Sequence, residues 1–233
     1  MRLVTWNCCR GRYSIKVPLL DQLDADVAVI QECAKPEAES ETCLWFGNNP
    51  RQGIAVQTSN GYEVRALPRL IDVPEFVFPV EIRGPQNFTL LAVWSKGGQK
   101  YRYVMGVVKA VQTYRTLFES SPTVLIGDLN SNAIWDTHHP AGLNHSALIS
   151  LLSELGLVSS YHHFFSEVQG KETRATCYLL WNRERPYHID YCFVPASWAS
   201  GIKRVEIGSY DEWKKHSDHR PLLVEILEGG RNI

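Results

Sequence analysis

The amino-acid sequence predicts a sheet-dominated α/β (α+β) fold in which two sheets pack face to face and helices cover the outside. Short apolar runs rich in Val, Ile and aromatic residues, each bounded by turn residues, recur along the whole chain. Helical periodicity appears in only three places. The 233 residues are 44% hydrophobic and 21% charged, enough apolar side chain for a substantial core. No repeat of fixed period, low-complexity tract or Pro/Gly-rich linker divides the sequence, so residues 1–233 read as one domain.

In chain order, strand-like runs fall at 2–6, 27–31, 53–57, 76–82, 88–94, 123–127, 175–180, 189–194, 204–207 and 221–227. Most are too short for helices and carry the β-branched and aromatic residues that suit a pleated surface. The helical segments are 15–23 ("IKVPLLDQL"), 103–118 ("YVMGVVKAVQTYRTLF") and 146–156 ("SALISLLSELG"). In the last, Ser146 can cap the N-terminus and Gly156 can supply the left-handed residue that stops a helix. The stretches 34–52, 131–145 and 162–174 lack either period and read as loops.

A net charge of −1 excludes a molecule attracted as a whole to nucleic acid or anionic membrane, although a local patch remains compatible with it. The sequence starts directly with the strand-like "RLVTWN", and no apolar stretch approaches the ~20 residues of a membrane span. Cys8, Cys9, Cys33, Cys43, Cys177 and Cys192 form no CxxC pair, so no zinc site is expected; they read as reduced thiols serving as small core hydrophobes. These features predict a cytoplasmic monomer without membrane attachment.

The polar residues at the strand ends carry the chemistry. The first strand ends at Asn7, the second at Glu32, and the run at 123–127 enters Asp128 and Asn130. Asp190 opens the strand of "HIDYCFVP", and "SDH" places Asp218 and His219 just before the last strand. Any one of these is more often a turn or cap residue. If these strand mouths converge, their joint placement would gather the polar side chains around one small volume. Carboxylate and amide oxygens without thiolate partners suit Mg²⁺ or Mn²⁺.

The set "TWN" (5–7), "IQE" (30–32), "GDLN" (127–130), "HIDY" (188–191) and "SDH" (217–219) resembles, in order, the motifs of the endonuclease/exonuclease/phosphatase superfamily, which includes DNase I-like nucleases and AP endonucleases. The resemblance implies a four-layer α/β-sandwich of two mixed sheets flanked by helices, and metal-dependent hydrolysis of a phosphate ester. It implies that Glu32 is the principal ligand of Mg²⁺ or Mn²⁺, with Asn7 beside it and Asp218 as a possible second ligand. Asp128 corresponds to the carboxylate that orients and deprotonates the attacking water, and Asn130 to its partner in holding phosphate. His219 corresponds to the donor to a phosphate oxygen, and Asp190 to the carboxylate that fixes His219. Two positions depart from the pattern. Trp94 stands where many members have Tyr or His, leaving Lys96, Tyr101 or Tyr103 to supply a donor. His188 stands where Arg is common.

The loops beyond the catalytic strands address the substrate. Arg10, Arg12 and Lys16; Lys96, Lys100 and Arg102 with Trp94, Tyr101 and Tyr103; Arg183 and Arg185 with Trp181 and Tyr187; and Lys214 with Lys215 make basic, aromatic-laced loops. Such loops suit a nucleic-acid backbone with stacking platforms. The expectation is a nuclease acting on DNA or RNA, with Trp94, Lys96, Tyr101, Arg102, Trp181 and His188 as substrate contacts. The alternative is a phosphatase or phosphodiesterase acting on a small phosphorylated molecule or a phospholipid headgroup.

Overall fold

A computed structural model describes residues 1–70, 73–74, 76–97 and 100–227. In chain order the strands are β1 (Arg2–Asn7), β2 (Val27–Cys33), β3 (Cys43–Asn49), β4 (Gln52–Thr58), β5 (Glu63–Ala66), β6 (Val77–Arg83), β7 (Phe88–Trp94), β8 (Thr123–Asp128), β9 (Leu157–Ser159), β10 (Cys177–Tyr178), β11 (Pro186–Tyr187), β12 (Asp190–Pro195), β13 (Ile202–Ile207) and β14 (Leu222–Ile226). The α-helices are α1 (Tyr13–Lys16), α2 (Val104–Thr113), α3 (Arg115–Ser120), α4 (His145–Glu154), α5 (Ser160–Phe165) and α6 (Tyr210–Trp213).

The strands form two six-stranded mixed sheets, ordered β13-β14-β1-β2-β4-β3 and β5-β6-β7-β8-β12-β9, with β10 and β11 as a separate ribbon. Successive side chains of a strand point to opposite faces, and here both faces are covered. Leu3, Val29, Ile54, Leu90, Ile126 and Val224 are buried between the sheets. Their neighbours Val4, Ile30, Ala55 and Leu223 pack on the other face of the first sheet with Trp6, Trp213 and Leu20. Leu91 and Leu125 pack on the outer face of the second sheet with Val107 and Val111 of α2 and Leu148 and Leu152 of α4. Burial on both faces explains why the central strands read as continuous apolar runs rather than alternating ones. The predicted two-sheet sandwich with outer helices is the fold observed.

Several boundaries differ from the sequence expectation. The segment 15–23 is a single α-turn, α1, followed by a 3-10 helix over Val17–Leu23 with a proline at its start. Pro18 lacks the N–H needed to continue the α ladder. The segment 103–118 is two helices, because Tyr114 leaves the helical conformation between α2 and α3. Its ring is buried and its hydroxyl accepts a hydrogen bond from the Leu70 amide. In α4 the N-cap is Asn144, whose Oδ1 accepts from Ala147 N at 2.9 Å, while the Ser146 hydroxyl donates to Asp136 instead. Gly156, at φ +78°, follows the end of α4 as expected. β3 lies inside the stretch 34–52 that read as a loop, and α5 overlaps the stretch 162–174.

Candidate active site

Strand direction explains why distant motifs meet. β1 and β2 are parallel, with Asn7 opposite Gln31, so Asn7 and Glu32 leave the first sheet at the same edge. β14 is antiparallel to β1, with Leu222 opposite Thr5, which brings the segment before β14 to that edge too. In the second sheet β12 is antiparallel to β8, and Asp190 lies directly opposite Asp128. One corner of the sandwich therefore collects strand ends from both sheets.

The side chains interlock there. Asn7 Nδ2 donates to Asp128 Oδ2 at 2.9 Å and to Glu32 Oε1 at 3.2 Å, so one amide bridges the two sheets. Asp128 also accepts from Asn130 N at 2.8 Å and Asn130 Nδ2 at 3.0 Å, and the same Nδ2 donates to Ser95 O at 2.9 Å. Glu32 Oε2 accepts from Gln52 Nε2 at 2.9 Å, with Arg10 Nε at 3.8 Å. Asn130 and Glu32 have φ of +44° and +58°, and β2 is irregular against β4 around Glu32, between Gln31 and Cys33. Such bulges and left-handed residues re-aim a side chain at a strand end.

His219 Nδ1 donates to Asp190 Oδ2 at 2.8 Å, and both residues are buried. Its backbone is fixed as well: His219 N donates to Ser217 Oγ at 2.9 Å, and that hydroxyl donates to Asn7 O at 2.7 Å. Burial alone would push the His219 pKa down, but the neighbouring Asp190 carboxylate outweighs it and holds the pKa well above its ordinary value. Burial, reinforced by the charge of Asp190, lifts Asp128 to about 7 against the hydrogen bonds from Asn7 and Asn130. Carboxylates directly opposite on a ladder repel, and the His219 cation offsets that repulsion. Asp128, Asp190 and His219 each offer a ligand atom within 4.8 Å of the others, a group that can hold a metal ion only with His219 deprotonated.

The donor set fits a hard divalent cation. It consists largely of carboxylate and amide oxygens, and Asp190 Oδ1 is buried with no hydrogen-bond partner among the described residues. Asp218 sits on the same rim. Its carboxylate and that of Glu32 flank the half-buried Cys9, whose thiol is pushed up to about 12 by burial and by these two charges.

The structure thus brings together Asn7, Glu32, Asp128, Asn130, Asp190, Asp218 and His219. The expected substrate contacts divide. Arg102 and Trp181 are exposed, and Tyr101 is half-buried. Lys96 Nζ lies 4.1 Å from the centres of both the Phe76 and Trp94 rings. Trp94 is not a stacking platform: the residue is 2% exposed and its ring packs edge-on against Phe76. His188 is not a substrate contact either. It is buried, Nδ1 donates to Arg174 O at 2.9 Å, and its ring packs 4.2 Å from that of Tyr161. Both are drawn inward because each adjoins a strand whose two faces are covered. Sequence reasoning missed the role of Ser217, although it stands inside the "SDH" motif, and missed Gln52, for which the sequence carries no signal.

The two-sheet sandwich with converging strand ends is the DNase I-like fold, as the motifs implied. No family model and no curated protein sequence matches the chain. Solved structures do. A 3'-5' exonuclease (NExo) from Neisseria meningitidis is 22% identical, with TM-score 0.68, over 97% of this chain and 99% of that one. A structure described as the 3' phosphatase NExo from Neisseria, bound to product DNA hairpin, matches with the same identity, coverage and TM-score. An AP endonuclease from Archaeoglobus fulgidus is 16% identical, with TM-score 0.71, over 98% and 100% of the two chains. Among the described residues no helix is long and apolar enough to cross a membrane.

Proposed function

We propose that this protein is a divalent-metal-dependent phosphodiesterase that hydrolyses nucleic acid, acting as a cytoplasmic monomer. The observation that carries the reading is the convergence, from both sheets, of a bridged Glu32–Asn7–Asp128 cluster on a buried His219–Asp190 pair. The similar structures, described as an exonuclease and an AP endonuclease, support nucleic acid as the substrate.

Glu32 and Asn7, with Asp218 nearby, would hold Mg²⁺ or Mn²⁺. The cation would neutralise charge on the phosphate oxygens and acidify water. The remaining work belongs to the chain. Asp128, aimed by the Asn7 and Asn130 amides, accepts the proton of the attacking water, and a carboxylate lifted to about 7 suits a general base at neutral pH. His219, kept protonated by Asp190, donates to a phosphate oxygen as negative charge grows there. The P–O bond to the leaving oxygen then breaks in line with the new bond, and the released oxyanion takes a proton from solvent.

The test is a substrate panel with Mg²⁺, Mn²⁺ or EDTA, comprising single- and double-stranded DNA, abasic duplex, RNA, 3'-phosphorylated DNA, inositol phosphates and sphingomyelin. Metal-dependent cleavage of nucleic acid is expected. Turnover confined to the small phosphoesters would replace this reading with the small-molecule phosphatase. The neighbour described as a 3' phosphatase favours a second reading, removal of a terminal phosphate from DNA, which the phosphorylated strand distinguishes.

A further inference from the structure

Beside Asn130 lies a groove of about 430 Å³, within the ~300–1,000 Å³ range of small-ligand sites. Arg102 and Tyr103 line it at the start of α2, and Trp135, His138 and His139 line it in the 3-10 helix Ala133–His138 and the residue after it. Asn130 is shared with the reaction centre, since its amide holds Asp128. The groove therefore opens where a scissile phosphate would sit.

Three features mark the groove as built for a ligand. Tyr103 has φ +51° and ψ −131°, a strained conformation for a residue other than glycine, and the residue is 37% exposed. Its ring tip lies 2.9 Å from where a Cβ at Gly97 would stand, so the ring packs closely on the Gly97 backbone and a side chain there would displace it. Trp135 is braced by Tyr187, with ring centres 5.0 Å apart. The side chains of Arg102, His138 and His139 make no hydrogen bond or ion pair among the described residues.

We infer that this groove seats one unpaired nucleotide adjoining the scissile phosphate, its base against Tyr103 and Trp135 and its outer phosphate on Arg102, His138 and His139. The assignment rests on the proposed cleavage of nucleic acid and names its form as a single strand or a frayed end. Aromatic faces stack on any base, and a paired base has no free face to offer them. Arg102, with the ring N–H groups of the two histidines on the same lining, supplies donors for the backbone phosphate.

The test is fluorescence anisotropy of labelled oligothymidylate and oligouridylate in EDTA, which separates binding from cleavage and DNA from RNA. Tyr103→Ala and Trp135→Ala should each raise Kd about fivefold or more, with Trp135→Phe restoring most of the loss. The triple variant R102A/H138A/H139A should flatten the salt dependence, by about 0.7 in log–log slope for each lost contact, at a pH where histidine is charged. Its positions are exposed or half-buried, so the test survives if Trp135→Ala unfolds. Lys203→Ala, at an exposed position of β13, should leave Kd unchanged. Kd and slope within about twofold of wild type in all groove variants would overturn the inference, as would an equal loss from Lys203→Ala. Wild-type turnover of bis(4-nitrophenyl) phosphate is measured alongside. Turnover with a groove-independent Kd removes the groove and leaves the phosphodiesterase. Groove-dependent binding without turnover of any phosphodiester does the reverse.

Discussion

His219 and Asp190 are buried together, so each is costly without the other: removing one partner leaves an uncompensated charge or an unpaired ring nitrogen. Asp190→Asn and His219→Ala should each lower kcat by about 10²–10⁴-fold. The double variant should be little worse than the worse single, because residues acting as one unit are non-additive. Strictly additive losses in a double-mutant cycle would separate them. His188 shows the opposite case of a histidine kept neutral. Its Nδ1 proton goes to Arg174 O, its Nε2 is buried without a partner among the described residues, and burial lowers its pKa to about 4. The unfolded chain then binds more protons than the native one between about pH 6.5 and 4, so this contribution is complete above 6.5 and is lost as pH falls. The depression corresponds to roughly 3 kcal/mol at most. Asp128, raised rather than lowered, acts in the opposite sense across an overlapping window, so the measurable quantity is a difference. Urea unfolding of wild type and His188→Gln should give stabilities that diverge near pH 7 and converge towards pH 4.5. Parallel profiles would show that His188 does not titrate in this way. The types of the residues at the centre were legible in the motifs. The inward turn of His188 and Trp94 was not, because a ring flanking a strand end gives no sign in sequence of the face it takes.

At the scale of elements, the central strands and the edge strand β13 were legible and the other edges, β3, β5 and β9, were not. β1, β2, β4, β7, β8, β12 and β14 are apolar on both faces and declare themselves by composition. β3 ends in "GNN", β5 is the half-exposed "EVRA" and β9 is only three residues long, so none has the apolar density that marks a strand. The break at Tyr114 escaped for a related reason, since the apolar period continues across it while the backbone turns to bury the ring. Position 127 shows how tightly an element can set the site. Gly127 lies opposite Val93 and one residue before Asp128, at φ +147°, and a Cβ there would stand 1.9 Å from the Val93 carbonyl oxygen. No side-chain rotation relieves a clash with backbone, so β8 would have to leave β7 or shift Asp128. Gly127→Ala should cost about 2–4 kcal/mol in urea unfolding and lower kcat in whatever fraction stays folded. A stable, fully active Gly127→Ala protein would show that this ladder does not set the position of Asp128.

Across the whole molecule, the two sheets share an apolar interior but meet at the site through charged groups. Asn7 and Glu32 come from the first sheet, Asp128 and Asp190 from the second, and the Asn7 amide bonded to Asp128 joins them. The negative charge gathered at that seam is only partly offset by His219: burial and the Asp190 charge still raise Asp128, and Asp190 Oδ1 has no hydrogen-bond partner among the described residues. A cation bound there would link the sheets and bind the native state alone, because the unfolded chain has no assembled site. Stability should then rise with free metal as RT ln(1 + [L]/Kd), about 2.7 kcal/mol at one hundred times Kd. For a chain of this size that corresponds to roughly 5–10 °C in Tm. Thermal unfolding of the wild type in EDTA and in Mn²⁺ should show that shift without any substrate present. Glu32→Gln, which keeps the hydrogen bond to Asn7 possible while removing one negative ligand, should melt close to wild type in EDTA and lose most of the gain in Mn²⁺. An unchanged wild-type Tm in saturating Mn²⁺ would exclude a cation at the seam. An equal gain in Glu32→Gln would move it away from Glu32, towards the Asp128–Asp190–His219 group.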